Sequence, residues 1–227
     1  MEALVVAGAG RDEPQFGEKL APQLRAFTRA GGRVVLIGRH NLAGDTILAD
    51  NVGGAQAVAR TLIAQGHRMI GVIGGPPLLT TTRDRLDGFC DVRREAGLSL
   101  PPLHIVEADF TRDGGYAAAL ELSARAPGIT AIFALNDPMA VGTLSALRER
   151  GMRVPDDISV VGFDDIPMAR DTTPTLSTVH VPMVEMGSRA MELALARDAA
   201  EWRVEHFPTR LVLRRSTAIA PRLSLTG

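Results

Sequence analysis

The strongest constraint in this chain is its rhythm. Strand-length apolar runs alternate with helically spaced stretches from the amino terminus to about residue 165. "ALVVAG" (3–8), "RVVLIG" (33–38), "MIGVIGG" (69–75), "LHIVEAD" (103–109), "TAIFAL" (130–135) and "ISVVGF" (158–163) read as strands. Between them, helical patterns run from Gly17 to Arg29, through "GGAQAVARTLIAQGH" to a stop at Gly66, and over 84–96, 114–126 and 138–150. In the second of these, Ala57, Val58, Leu62 and Ile63 form one stripe. Strands that are apolar on both faces and separated by single helices predict a parallel sheet covered on both sides, an α/β and doubly wound arrangement. After Asp165 the pattern changes to an extended, proline-punctuated "PTLSTVHVP", a helix over 183–197 and a closing strand in "TRLVLRRS".

Composition narrows the function classes. The 227 residues are 45% hydrophobic and 22% charged with net charge −1, as in an ordinary globular protein. Lys19 is the only lysine, and no dense basic block supplies the footprint of a nucleic-acid surface, so the chain alone should bind DNA poorly. The single cysteine, Cys90, excludes an intrachain disulfide, fits a reducing compartment and reads as a buried, inert thiol. Glu2 stands where a secretory signal would carry positive charge, and no apolar run is long enough to span a membrane. A cytoplasmic location is expected.

No catalytic motif is present: there is no G-x-S-x-G elbow, no Walker A loop and no G-x-G-x-x-G after the first strand. The five histidines lack metal-ligand spacing, and His67, after Gly66, reads as a turn residue. The chain is therefore expected not to be an enzyme and to need no metal or cofactor.

The strand ends carry a different kind of chemistry. In doubly wound sheets ligands bind beyond the carboxyl ends of the strands. Four successive strands end there in the "GGPPLLTTTRDR" loop, in Asp109 and Phe110, in Asn136 and Asp137, and in Asp164 and Asp165. Arg85 offers planar paired donors, Asp164 can accept two hydroxyl hydrogen bonds, Asn136 both donates and accepts, and Phe110 supplies a ring face. Each also has a structural reading: Arg85 paired with Asp84 or Asp87 on its own helix, Asn136 and the aspartates as caps, and Phe110 as packing. Met139, Leu144 and Leu147 suit either a dimer face or packing within the chain.

"DNVGGAQAVARTLIAQGHRMIGVIGG", "RLDGF", "ADFTRDGGY", "ALNDPMAVGTLSALRERGMRVPDDISVVGFDD", "TPTLSTVHVP" and "TRLVLRRST", in that order, resemble the effector-binding core of the lactose/galactose-repressor (LacI/GalR) family of bacterial regulators. The resemblance spans about 33–218. It implies a periplasmic-binding-protein-like fold: two parallel-sheet subdomains, three crossovers and a cleft that holds a small effector. That effector would be a carbohydrate, a nucleoside or a purine. It also implies a homodimer that acts on operator DNA through a headpiece. By position, the resemblance makes Arg85, Thr81, Phe110, Asn136 and Asp164 ligand-binding and Asp165 structural, with Val181 and Met183 as apolar pocket wall. The implied subdomains are 1–66 plus 180–209 and 67–179 plus 210–227. The family's helix-turn-helix headpiece, hinge helix and first two strand–helix units have no counterpart in these 227 residues, so the amino-terminal subdomain is expected to be incomplete with an exposed apolar sheet edge. A solute-binding protein of the same fold is the principal alternative, and a sugar-modifying α/β enzyme a more remote one.

Overall fold

The computed structural model describes residues 2–11, 14–196 and 201–221. Two four-stranded parallel sheets form, as the alternating pattern requires. The first has the order β1-β2-β3-β9, with β1 (Ala3–Ala7), β2 (Arg33–Ile37), β3 (Asp45–Ala49) and β9 (Val204–Phe207). The second has the order β5-β4-β6-β7, with β4 (Ile70–Gly74), β5 (Ile105–Glu107), β6 (Ala131–Ala134) and β7 (Ser159–Val161). β8 (Thr178–His180) and β10 (Arg210–Val212) pair antiparallel beside the second sheet, and Ser177 bridges to Val161.

The helices are α1 (Pro14–Arg29), α2 (Asn51–Ala64), α3 (Thr80–Glu95), α4 (Arg112–Arg125), α5 (Asp137–Glu149), the short α6 (Met168–Asp171) and α7 (Met183–Leu195). In the second sheet the chain steps one way through α3 and back across through α4 and α5. Right-handed crossovers then put α3 on one face and α4 and α5 on the other. The packing agrees: α4 lies against α5, and α2 against α3. Every residue of β4, β6 and β7 is buried, and the Phe89 and Phe133 rings meet at 5.2 Å in this core. The chain passes between the two sheets three times: after β3, between β8 and α7, and between β9 and β10.

Several expectations change in detail. β3 and β9 join the first sheet although neither stands out in the sequence pattern. Parallel neighbours ordinarily need a crossover of a dozen or more residues, but only residues 38–44 separate β2 from β3. α3 begins at Thr80, a turn before the expected Asp84, because its first amide donates to Gly10 O at 2.9 Å outside the helix. α7 ends at Leu195, and Arg197 lies outside the described residues. α2, expected with the first subdomain, packs on α3, β8 and β10 through Ala55, Val58, Ala59 and Leu62. Met139, Leu144 and Leu147 are all buried within the chain, so they offer no dimer face. Cys90 is only half-buried, and its thiol is pushed up first by burial and then by Asp87. Among the described residues β1 pairs only with β2 and its other edge is unpaired, with Leu4 exposed. Asp45, wholly buried in β3, accepts from Arg33 at 2.6 Å and from the Arg203 backbone at 2.9 Å, tying β2, β3 and the approach to β9 together.

His67 is fully buried. Its Nδ1 meets Thr130 Oγ1 at 2.9 Å and its Nε2 meets Ala218 O at 3.1 Å, which fits a turn residue; burial lowers its pKa.

Candidate functional site

The carboxyl ends of the two sheets face one cavity of about 490 Å³. The first sheet contributes Ala7, Gly8, Ala9, Ile37, Gly38 and Ala49, so that wall is apolar side chain and exposed backbone. The second contributes Thr81, Arg85, Phe110, Asn136 and Asp164, and Val181 and Met183 close the side where the chain returns. All seven residues singled out in the sequence therefore line one space, together with Asn51 and Met186.

Arg85 forms the floor. The first turn of α3 sets Thr81 one helical turn ahead of it on the same face. Arg85 is 6% exposed, and its Nε donates to Asn51 Oδ1 at 2.9 Å, its Nη1 to Leu135 O at 2.5 Å and its Nη2 to Asp164 Oδ1 at 2.8 Å. The guanidinium also lies 3.8 Å from the centre of the Phe163 ring, a cation–π contact. Neither Asp84 nor Asp87 on its own helix is among these partners. Three of its five N–H groups are used, so one remains on each terminal nitrogen. Burial lowers the pKa of this guanidinium, opposed chiefly by Asp164.

Asp164 follows β7 in a backbone conformation with φ 116°, rare for a side chain of this kind. Its own amide donates to Val179 O at 2.8 Å and its carbonyl accepts from Val181, which braces the turn against the segment that includes β8. Burial raises the carboxyl pKa, and Arg85 opposes that rise. Oδ1 is engaged by Arg85, while Oδ2 has no bond among the described residues.

Asp165 faces the other way. Only 2% of its side chain is exposed; it accepts from Arg214 at 2.5 Å and meets His180 Nδ1 at 3.0 Å. Burial would raise its pKa, but the bonds from Arg214 and His180 prevail and hold it low. It ties β7 to the flanking β8 and β10 segments, as expected of a structural residue. Asn136 has its expected capping role and also borders the cavity: its Oδ1 caps α5 through the Met139 amide at 3.0 Å, and its Nδ2 donates to Phe110 O at 3.0 Å. Phe110 sits at φ 66°, held partly by that bond.

Sequence reasoning missed three contributors. Asn51, at the start of α2, accepts from Arg85, and nothing in the sequence pattern pointed to it because the strand before it is not legible there. Phe163 reads as an ordinary strand residue. Gly75 leaves room for the Phe110 ring, whose tip a Cβ there would meet at 2.2 Å. Of the remaining polar strand-end residues, Asp109 turns to Thr111. Asp137 is fully buried and accepts from Thr178 Oγ1 at 2.5 Å and Ile166 N at 2.9 Å. Its carboxyl is pushed up to about 7 by burial. No cluster of three or more potential metal ligands occurs among the described residues.

Two parallel sheets, three crossings and a cavity at their facing carboxyl ends define a bilobal, periplasmic-binding-protein-like class of ligand-binding fold. A family model described as "Periplasmic binding protein-like domain" matches residues 59–217, and the chain belongs to this family, as the effector-binding core of a LacI-family regulator. The "HTH-type transcriptional repressor PurR" of Salmonella newport is 39% identical over 181 residues, covering 78% of this chain and 53% of that protein. The chain thus spans about half the length of the curated relatives it matches. Among solved structures, a "transcriptional regulator CelR-cellobiose complex" is 32% identical with a TM-score of 0.84, over 95% of this chain and 66% of that one. A LacI family transcriptional regulator from Enterococcus faecium with bound ribose is 26% identical with a TM-score of 0.83, over 96% and 80%.

Proposed function

We propose that the cavity is an effector site for a small, neutral, hydroxylated or heteroaromatic molecule of the carbohydrate or nucleoside/purine class. The observation that carries this is the Arg85–Asp164 pair on the cavity floor. One guanidinium and one carboxylate are held 2.8 Å apart with N–H groups and an oxygen to spare. Their charges cancel, so a neutral ligand can enter without stranding a buried ion. Asn136 adds polar capacity, Phe110 offers a face for a ring, and Thr81, Val181 and Met183 complete the wall.

In this reading the chain is the effector-binding and dimerising part of a cytoplasmic LacI-family regulator, not an enzyme. Effector binding favours the closed cleft by its differential affinity for that state and so alters operator binding through a headpiece. Relatives named as repressors, and neighbours holding cellobiose or ribose, support regulation by a small molecule. No helix among the described residues is long and apolar enough to cross a membrane. The subdomain boundary falls at the start of α2, near Asp50, with 183–209 returning to the first subdomain; the packing of α2 on α3 supports this division.

The test is a thermal-shift screen against sugars, sugar phosphates, nucleosides and purines. A ligand should raise the Tm of the parent but not of Arg85→Ala or Asp164→Ala, whereas Asp165→Ala should lower Tm yet still respond. Equal shifts in parent and Arg85→Ala would exclude this cavity as the site.

A further inference from the structure

Above the cavity the two subdomains are fastened to each other by groups that do not line it. On the first-sheet side, the segment after β1 and the segment after β2 touch back to back. A Cβ on Gly10 would lie 1.9 Å from Arg39 O, so only glycine permits the approach. Two carbonyls, Gly10 O and Arg39 O, are thereby presented side by side.

Both are taken by one residue at the start of α3. The Thr80 amide donates to Gly10 O at 2.9 Å and the Thr80 hydroxyl to Arg39 O at 3.2 Å. The first amides of a helix have no partner within it, so this contact satisfies groups that would otherwise need water. One turn further, Asp84 accepts twice from Arg39, from Nη2 at 2.6 Å and from Nε at 3.3 Å. Leu79 forms an antiparallel bridge with Arg11. The paired, planar geometry of the Arg39–Asp84 contact makes it more directional than a single surface ion pair.

Position gives this cluster its meaning. Four members of the fastening are each next in sequence to a residue of the cavity wall: Gly10 to Ala9, Arg39 to Gly38, Thr80 to Thr81 and Asp84 to Arg85. A movement that drew the ends of β1 and β2 away from α3 would break the two Thr80 bonds and the ion pair together. We propose that Thr80 and Asp84, with Gly10 and Arg39, form a clasp that sets the population of the closed cleft and thereby tunes how tightly the cavity holds its ligand. The clasp concerns regulation of the site proposed above and rests on that assignment, but it exists without ligand and can be tested without one.

The Thr80 amide is the reporter, since its protection comes from across the boundary and not from its own helix. Amide exchange is followed by NMR on the ligand-free chain, comparing the parent, Asp84→Asn and Thr80→Val. In Asp84→Asn the Thr80 amide should exchange about fivefold faster, the size expected from losing an exposed ion pair. Amides of β4 and β6 should be unchanged, and Thr80→Val should show the same pattern at residue 80. An unchanged rate at residue 80 in Asp84→Asn would overturn the clasp. So would an equal acceleration throughout β4 and β6, since the loss would then be one of global stability. Failure of the thermal-shift screen bears only on the ligand assignment, because this readout contains no ligand.

Discussion

The two sheets of this molecule have the same strand count and parallel sense, yet they are held together differently. In the second, β4, β6 and β7 are buried at every residue between helices on both faces. In the first, only β2 approaches that condition, β1 is largely exposed and β9 is exposed at alternate residues. What the first sheet lacks in apolar coverage it partly recovers through the buried carboxylate of Asp45 and its two arginine partners. The polar side chains that line the cavity stand mostly beside the well-covered sheet, and the other contributes mainly small residues and backbone. Precise placement of a buried ion pair needs rigid support, and the second sheet is where the packing supplies it.

This contrast can be broken most directly in the second core. Phe133→Ala removes a ring packed at a tilt against Phe89 and should cost about 4 kcal/mol in urea denaturation. Asp45→Ala leaves the Arg33 guanidinium buried without its main partner and should cost about 3 kcal/mol. Trp202, the only tryptophan, adjoins the first sheet, so its fluorescence should register that loss at lower urea than far-ultraviolet circular dichroism. Coincident transitions would mean that the two sheets unfold as one unit. Val6→Ala on the open β1 should cost only about 1 kcal/mol, and a loss equal to that of Phe133→Ala would erase the distinction.

A separate expectation concerns pH. Asp137, at the end of β6, titrates near 7 when folded and near the usual aspartate value of about 3.9 when unfolded. Its protonated form therefore adds stability that is complete below about pH 4 and lost as pH rises through 7. Asp45 and Asp165, both held low, work in the opposite direction: their contribution is present above the unfolded value and lost as pH falls. Comparing the parent with Asp137→Asn cancels those terms, and the Tm difference in favour of the variant should widen from pH 5 to pH 8. A constant difference would show that this carboxyl keeps its ordinary affinity for protons.

The sequence made the well-covered half far easier to read than the other. Strands buried on both faces announce themselves as unbroken apolar runs, and β4, β6 and β7 do so. β9, "VEHF", sits at an edge with Val204 exposed and Glu205 paired to Arg189, so nothing in its composition separates it from a loop. β3 begins with an aspartate whose burial makes sense only once Arg33 and Arg203 are placed beside it. Arg85, Phe110, Asn136 and Asp164 were accessible because they lie beyond strand ends, a position with a physical meaning in this architecture, whereas Thr81, Val181 and Met183 came only from the family resemblance. Asn51 was not accessible, because its bond to Arg85 joins residues that only the folded crossover brings together.

That bond has a mechanical consequence. Arg85 is anchored at once to Asn51 at the first crossover, to the end of β6 and to Asp164 beyond β7. A force applied at Asp164 is thus shared with the strap that connects the two halves, so the cavity floor and that connection form one lever. Lysine at position 85 would keep the charge but lose the flat fork that carries the load in three directions.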